Sequence, residues 1–515
     1  MLAQVNGSAA GVGGPSGRVV IIGAGLGGLS AALRLAGTGR DVRIVEAGDA
    51  PGGLMGRRHR AGYTFDTGPT VLTLPSLIDD ALACVGESRS DWLQLDRLEP
   101  SYQAHYADGS VLRSYSDPDR MAAEVAEVCG PAQAERYLQL VAYLGRLYRA
   151  EFDSFMDANL DSLAALIRPQ AASVLRLGGL RSLEKVVGGY LSDERLRRLF
   201  TFQSLYAGVS PSRARALYAV IAYLDSVAGV WFPRGGMHSV AQALAGAAVK
   251  HGVRIDYRCR AVRVEVSGDR ARAVITEAGE RIPADVVILN GDLATGYREL
   301  LPAGLRPRRL ARARYSPSAL VWLVGSRGRL PMPAHHSISF GAAWSRTFSE
   351  IIEQGRLMSD PSLLITSATV TDPSLAPDGG HSYFVLAPCP NTATGAIDWP
   401  AIGPRYVDEL AGVLDRRGFD LHGAFSSGVQ ASQLITPADW ADQGLTAGSP
   451  FALAHTLSQT GPWRHRTQHP AVPNLLFCGA GSQPGVGVPT VLISGRLAAA
   501  RITGDGRQPR RSLRR

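Results

Sequence analysis

Residues 18–46 constrain the fold more than any other stretch, because they combine a buried strand, a glycine turn, a helix and a second strand. The β-branched run at 19–22 is typical of a strand buried on both faces. Gly23, Gly25 and Gly28 follow with the G-x-G-x-x-G spacing, which lets a pyrophosphate approach the backbone and lets the helix pack closely on the strand. The free N–H groups at the start of that helix favour a phosphate. We therefore predict a dinucleotide-binding unit.

Glu46 ends the second predicted strand, at 42–45. It follows Gly25 by 21 residues. At that separation a carboxylate can accept the hydrogen bonds of a ribose diol, which selects an unphosphorylated adenosine ribose. The predicted dinucleotide contacts in this unit are Gly23, Ala24, Gly25, Leu26, Gly27, Gly28 and Glu46.

A second glycine-rich stretch, at 51–53, follows closely. Two such stretches indicate that a long cofactor is wrapped by the chain, which favours a flavin dinucleotide over a diffusible nicotinamide. Arg57 is a candidate to neutralise phosphate, and a solvated surface arginine is the alternative. A polar turn after residue 66 can carry the chain past the reactive ring or be a plain surface turn. The predicted flavin contacts in these stretches are Gly52, Gly53, Arg57, Thr67, Gly68, Pro69 and Thr70.

The chain is predicted to re-enter the nucleotide unit after residue 232. A predicted hairpin begins at Ala261 and Val262, and a buried strand at 285–290 leads to Asp292, so these three residues join the expected flavin contacts. Near the end of the chain, a strand, a glycine turn at 479–487 and a helix at 488–502 form a second place where helix N–H groups meet a ligand. The flavin pyrimidine oxygens, whose charge rises on reduction, suit it. The predicted contacts there are Gly479, Gly481, Gly487 and Val488.

Composition narrows the classes of partner. The chain has 54 basic and 45 acidic residues, a formal charge of +9, part of it in a basic tail at 504–515. No stretch resembles a nucleic-acid module, so we expect a solvated tail and no nucleic-acid partner, with anionic lipid as the alternative. Five separated cysteines without a C-x-x-C pair argue against a disulfide scaffold or a zinc site. The adjacent His335 and His336 are predicted to diverge on a strand and to be structural, so we predict no metal.

The sequence carries no evident membrane anchor. Residues 1–17 are expected to be disordered and do not read as a secretion signal. No apolar run approaches the roughly 18 residues needed to cross a bilayer. We expect a cytoplasmic protein with at most peripheral membrane contact.

Residues 76–230 are predicted to be mostly helical. Apolar positions at spacings of three and four between 137 and 152 indicate an amphipathic helix. The next stretch, 160–191, mixes apolar clusters with basic residues, which fits either a helix on a membrane surface or a domain helix with a solvated face. Its basic residues include Arg168, Arg176, Arg181 and Lys185.

Six motifs together resemble bacterial phytoene desaturases, which are FAD-dependent carotenoid desaturases with an amine-oxidase-like fold. They are AGLGGL, PGG, FDTGPTV, WFPRGGMHSVAQAL, VTDPSLAPDGGHSYFVLAP and GAGSQPGVGVP. The resemblance covers about 18–502 and implies an α/β fold with a discontinuous Rossmann-like FAD-binding domain at 18–75, 232–300 and 465–503. It also implies a mixed α+β substrate domain at 76–231 and 301–464, with a helical membrane-facing portion.

The resemblance further implies noncovalent FAD, a linear carotenoid substrate (phytoene converted to neurosporene, lycopene or a related polyene) and peripheral attachment to the membrane. Hydride transfer to flavin N5 leaves a delocalised cation whose neighbouring proton is acidic, so we predict no catalytic side chain. No second G-x-G-x-x-G follows a strand, and quinone or oxygen is therefore the expected electron acceptor.

The chain departs from its relatives in two places. Leu54 stands where relatives usually carry Arg, and Ala142 with a displaced Arg146 replaces an acidic residue and an Arg that some relatives carry. A carotenoid isomerase, a terminal carotenoid oxidase and an amine oxidase remain alternatives on the same scaffold, whereas the intact glycine motifs argue against a non-catalytic prenyl-binding escort. The polar residues most open to a catalytic role are His455, Asp66, Asp292 and Arg146.

Overall fold

The computed structural model describes residues 17–162, 169–331, 334–426 and 428–504. The strands are β1 Val19–Ile22, β2 Val42–Val45, β3 Arg57–Arg60, β4 Tyr63–Asp66, β5 Leu95–Arg97, β6 Tyr102–His105, β7 Val111–Ser114, β8 Trp231–Pro233, β9 Arg254–Asp256, β10 Ala261–Ser267, β11 Arg270–Thr276, β12 Arg281–Pro283, β13 Val286–Leu289, β14 Ser318–Ser326, β15 His336–Ser339, β16 Leu363–Thr366, β17 His381–Cys389, β18 Val429–Ile435, β19 Gln468–His469 and β20 Val472–Phe477.

The helices are α1 Leu26–Ala36, α2 Ser76–Ala83, α3 Pro118–Cys129, α4 Pro131–Glu151, α5 Pro169–Arg176, α6 Leu183–Tyr190, α7 Glu194–Leu199, α8 Ala219–Tyr223, α9 His238–Lys250, α10 Leu293–Glu299, α11 Trp344–Ile352, α12 Trp399–Arg416, α13 Leu421–Ser426, α14 Pro437–Asp442 and α15 Val488–Thr503. The predicted disordered segment 1–17 and basic tail 504–515 lie outside the described residues, apart from Gly17 and Gly504, and so does Arg168.

One sheet is assembled from three distant parts of the chain. Its order is β19-β20-β13-β1-β2-β9, and every neighbouring pair is parallel except β19 and β20. Val19 and Ile21 pack on the side of α1 and α15, whereas Val20 and Val287 pack against the small β10-β11-β12 sheet. Both faces are therefore covered, which explains the continuous apolar runs of the central strands. The predicted strands at 19–22 and 42–45 are confirmed.

A second, seven-stranded sheet has the order β18-β14-β17-β16-β15-β6-β7. Its longest ladder pairs β14 with β17 in antiparallel register, from Ser318 opposite Cys389 to Ser326 opposite His381. β6 joins the sheet in parallel with β15, and β7 pairs antiparallel with β6.

The prediction that residues 76–230 are mostly helical is wrong for residues 95–114. The antiparallel β6 and β7 enclose a turn at Asp108 and Gly109, where Gly109 has a φ of +82°. Asp-Gly is a strong hairpin signal, and it outweighs the helical pattern on either side. The amphipathic helix predicted near 137–152 is confirmed as α4.

The prediction that His335 and His336 diverge is also wrong. His335 lies just before β15, and the two buried rings approach to 4.5 Å between centroids. Among the described residues, no group of three or more His, Cys, Asp and Glu side chains could hold a metal ion. Within the same residues, no helix combines the length and the apolar character needed to cross a bilayer.

Candidate cofactor and substrate sites

The glycine turn after β1 is a tight cradle. Gly25 is the N-cap of α1, and a Cβ at Gly28 would lie 2.5 Å from the Gly23 carbonyl oxygen, which confirms that this glycine permits close packing of helix and strand. Gly23 itself has a φ of +102°, and a Cβ there would lie 2.3 Å from the Asn290 carbonyl oxygen. The first turn of α1 carries no side-chain cap, so backbone N–H groups face the turn.

The glycine segments that the sequence separates meet in the structure. The Gly52 N–H donates to the Ala24 carbonyl at 2.8 Å, and a Cβ at Gly53 would lie 3.4 Å from the Gly25 Cα. The predicted polar turn packs on the same segment, since a Cβ at Gly68 would lie 1.8 Å from the Leu54 carbonyl oxygen. The structure therefore brings the predicted contacts at 23–28, 52–53 and 67–70 into one continuous surface.

Glu46 lies beside the glycine turn, as a ribose ligand requires. Its carboxylate accepts from the Ala24 N–H at 2.6 Å and from the Gly48 N–H at 2.7 Å. Its main-chain carbonyl accepts from the Cys259 N–H at 2.8 Å. Ala261 and Val262 begin β10 two residues after Cys259, so these two predicted contacts lie on the Glu46 side of the cradle.

Asn290 is a residue that the sequence interpretation missed. It directly follows β13, the strand between β1 and β20. Its side-chain N–H donates to the Gly23 carbonyl at 3.0 Å, and its side-chain oxygen accepts from the Cys478 thiol at 3.4 Å. Cβ atoms at Gly25 and Gly27 would lie 3.0 and 2.9 Å from the same side chain. The available signal was a polar residue at the carboxyl end of an apolar run.

The C-terminal turn closes onto the first helix. The Gly479 N–H donates to the Ser494 hydroxyl at 2.8 Å, and α15 begins at Val488, with Gly487 as its N-cap. Two further residues bind the turn, and the sequence interpretation did not place them beside it. The Val486 N–H donates to His455 Nε2 at 3.4 Å, and the Arg464 guanidinium donates to the Ala480 carbonyl at 2.7 Å.

Two acidic residues considered for catalysis serve as caps. Asp66 is half-buried and accepts from the N–H groups of Met237 and His238 at 2.9 and 3.2 Å, and desolvation raises its pKa to about 6 against those hydrogen bonds. Asp292 is the N-cap of α10 and accepts from the Thr295 N–H at 2.9 Å.

The two arginines singled out from the sequence lie in different parts of the fold. Arg57 stands opposite Asp66 in the β3–β4 hairpin. Arg146 and Ala142 both lie on the exposed face of α4. Among the described contacts, none joins Arg146 to the cofactor cradle.

An apolar cavity lies against the seven-stranded sheet. Five of the described residues that line it are aromatic and none is charged. The hydroxyls of Ser318 and Ser362 are both engaged by backbone, through the Gly448 carbonyl at 2.5 Å and the Gly341 N–H at 3.1 Å. The aromatic lining residues are Phe202, Tyr206, Phe340, Trp344 and Phe451.

The residues at the six-stranded sheet fit FAD. They offer a Cβ-free cradle for the pyrophosphate, a helix N-terminus, a carboxylate at the ribose position and a second glycine turn at the same sheet edge. The family model described as flavin containing amine oxidoreductase matches residues 26–503. The chain belongs to the flavin-containing amine oxidoreductases.

This flavin-containing amine oxidoreductase is therefore an FAD-dependent enzyme. It is 52% identical to the phytoene dehydrogenase of Streptomyces griseus over 96% of this chain and 97% of that protein. It is 36% identical to the zeta-carotene-forming phytoene desaturase of Myxococcus xanthus over 94% and 93% of the two chains. A putrescine oxidase variant has the same fold, with a TM-score of 0.61 at 16% identity, over 95% of this chain and 99% of that one.

Proposed function

We propose that this chain is an FAD-dependent carotenoid desaturase that converts phytoene to neurosporene, lycopene or a related polyene. The observation that carries the proposal is the aromatic cavity, which offers no charged side chain among its described residues. A hydrocarbon chain gains free energy by entering such a cavity, whereas an ammonium substrate would lose its hydration without a carboxylate to replace it. The names of the relatives from Streptomyces and Myxococcus support the same substrate class.

When bound, FAD supplies the acceptor for a hydride, two electrons and one proton, taken from one carbon of a CH2–CH2 unit, and the adjacent carbon loses a proton to solvent as the C=C bond forms. The residues of this chain bind the cofactor and orient the polyene. The 23–28 cradle and Glu46 would hold the adenosine half, the 67–70 and 479–487 turns would border the flavin half, and the aromatic cavity would align the polyene. Asp66 and Asp292 are engaged as helix caps, so we assign neither as an acid or base.

The decisive experiment is to supply the FAD-loaded protein with phytoene in liposomes and to identify the products by chromatography and absorption. A polyene with additional conjugated double bonds supports the proposal. An isomer of unchanged hydrogen content, a hydroxylated or carbonyl product, or oxidation of an amine alone would favour one of the alternatives.

A pair of substitutions in the cavity links the product to the site. Leu364 lines the cavity and is 8% exposed. L364D should lower turnover per bound flavin by about tenfold or more, because it places a charge in the apolar lining. L364M conserves volume and should remain close to the parent protein. Equal loss in both variants would argue that the cavity is not the polyene site.

We also propose the discontinuous division into an FAD-binding part, 18–75, 232–300 and 465–503, and a substrate-binding part, 76–231 and 301–464. Quinone or oxygen is the proposed electron acceptor.

Peripheral membrane contact is proposed at a basic-apolar surface. Leu175 and Leu180 are 57% and 46% exposed there, beside exposed basic side chains. Carotenoids dissolve in membranes, and this combination of leucine and positive charge suits an anionic lipid surface. The residues of the basic-apolar surface are Leu175, Arg176, Leu180, Arg181 and Lys185.

A further inference from the structure

Arg464 is a fully buried arginine behind the C-terminal glycine turn. Its side chain is 1% exposed, and its hydrogen bonds all end on main-chain carbonyl oxygens. Two of these belong to the turn, Ala480 at 2.7 Å and Ser482 at 3.1 Å. The others belong to Leu453 at 3.3 and 3.4 Å and Gln459 at 3.3 Å. No carboxylate of the described residues forms an ion pair with this guanidinium.

The groups around Arg464 leave its charge without a counter-ion. Burial lowers the pKa of Arg464 to about 10, so the guanidinium stays protonated at neutral pH. His455 packs on the same turn, since a Cβ at Gly485 would lie 2.2 Å from the His455 ring and 3.4 Å from the Arg464 guanidinium carbon. Burial holds the pKa of His455 well below its usual range and raises that of its partner Tyr218, which leaves both neutral. A buried charge without a partner is costly, and such a charge indicates a compensating group of opposite sign.

The hydrogen bonds of Arg464 also fix which way the turn faces. A trans peptide directs its C=O and its N–H to opposite sides. With the Ala480 carbonyl on Arg464, the N–H of Gly481 points away from the guanidinium. With the Ser482 carbonyl on Arg464, the N–H of Gln483 likewise points away and donates to the His465 carbonyl at 2.9 Å. Arg464 therefore orients the peptide of Gly481, a predicted flavin contact.

We propose that Arg464 is a positioning residue for the flavin: it orients the Gly481 peptide of the 479–487 turn toward the pyrimidine ring and supplies the positive charge that favours the reduced cofactor. Uptake of a hydride makes the flavin one unit more negative, and a fixed positive charge nearby stabilises that product. The inference rests on flavin binding at this turn, which is part of the proposed function, and it is independent of the carotenoid.

The test measures flavin properties without any carotenoid, so a failed desaturase assay and a failed inference remain distinguishable. The variants are R464Q, which is neutral but still donates to carbonyls, R464K, which keeps the charge with fewer donors, and R466M, which removes a half-exposed charge two residues away. FAD content, the midpoint potential from dithionite titration against a reference dye, and the dissociation constant of sulfite are measured. Sulfite adds to N5 and leaves a negative charge on the flavin, so its affinity reports the same electrostatics.

We expect the parent protein to form the sulfite adduct. In R464Q the sulfite dissociation constant should rise at least tenfold and the two-electron potential should fall by about 30 mV or more, the equivalent of a tenfold change. R464K should stay within about threefold of the parent and R466M should be unchanged. The inference is overturned if the parent forms no adduct, if R464Q retains the parent potential, or if R464K loses flavin or potential as completely as R464Q. The first of these outcomes can be read even if a variant fails to fold.

Discussion

Gly495 of α15 lies directly against Gly27 of α1. A Cβ at Gly495 would lie 2.1 Å from the Gly27 carbonyl oxygen and 3.0 Å from the Ala31 nitrogen. The Ser30 hydroxyl donates to the Leu492 carbonyl at 2.8 Å, which joins the same two helices. Helices from the two ends of the chain thus meet at backbone contact, and this contact sets the spacing between the two glycine turns of the cofactor site.

The first prediction follows from that contact. Gly495→Ala should destabilise the protein by about 1–3 kcal/mol, because the added methyl group has no room between the helices. Gly189→Ala is the matched control: Gly189 lies in α6 with nothing within 4 Å of its Cβ position, so it should gain about 0.5–1 kcal/mol from helix propensity. Thermal denaturation of the FAD-loaded proteins measures both the expected loss and the expected gain of stability. A higher midpoint for Gly495→Ala would argue against tight packing at this point.

The second prediction concerns Glu46. Glu46→Gln removes the charge that a ribose diol would contact, so FAD affinity should fall by roughly 10- to 100-fold, as expected for a lost hydrogen bond to a charged group. Asp49→Asn makes the same charge change at a side chain that is 75% exposed, and it should bind like the parent. Dissociation constants from flavin fluorescence quenching give the comparison. Equal affinity in both variants would remove Glu46 from the site.

Those parts of the site that are built from residues close together in sequence could be predicted from the sequence. Gly23, Gly25 and Gly28 are close in sequence, and their spacing together with the apolar run at 19–22 predicts a strand, a turn and a helix, which the structure confirms. Asn290 acts across 267 residues of chain, and Arg464, 16 residues before Ala480, reaches the turn across a strand. A single asparagine or arginine carries no periodicity that would place it beside a turn. The β6–β7 hairpin was missed for another reason. In the sequence interpretation the helical pattern around residues 95–114 was given more weight than the two-residue turn signal, whereas in the structure the hairpin forms.

The third prediction tests the basic-apolar surface. Arg176→Ala and Arg181→Ala should each weaken binding to anionic liposomes by about 1 kcal/mol, roughly fivefold, and the double variant should combine the two losses. Arg405→Ala removes an exposed arginine on α12 and serves as the control. Flotation at low and high salt measures the affinity. If the parent protein does not bind anionic liposomes and is fully active on carotenoid without lipid, the surface has no membrane role.

The fourth prediction is a pH dependence from Asp225, which interrupts an apolar run in the sequence and is buried in the structure. Burial raises its pKa from 3.8 to about 7, beside Gln203 and Tyr102. Between these values the folded chain holds a proton that the unfolded chain releases, so stability falls as pH rises from about 4 to 7 and stays at the lower level above. The pKa difference corresponds to about 4 kcal/mol.

Asp225→Asn should remove that contribution. The thermal midpoint of the variant should fall less than that of the parent between pH 5 and 8, while Asp269→Asn, an exposed residue between β10 and β11, should follow the parent. Parallel curves for Asp225→Asn and the parent would show that this carboxyl titrates near its usual pKa.

The last prediction is that no single side chain is an indispensable base. Asp66 and Asp292 cap helices, Arg146 is exposed on α4, and His455 accepts the Val486 N–H in a neutral, buried position. A required general base contributes roughly 10²- to 10⁴-fold. Alanine variants at these four positions should therefore lose less than about a hundredfold in turnover per bound flavin, with the larger losses at Asp66 and His455 accompanied by loss of FAD. Because the flavin takes the hydride and the cation sheds its proton readily, a drop beyond a hundredfold with full FAD content at any one of them would identify a true acid or base.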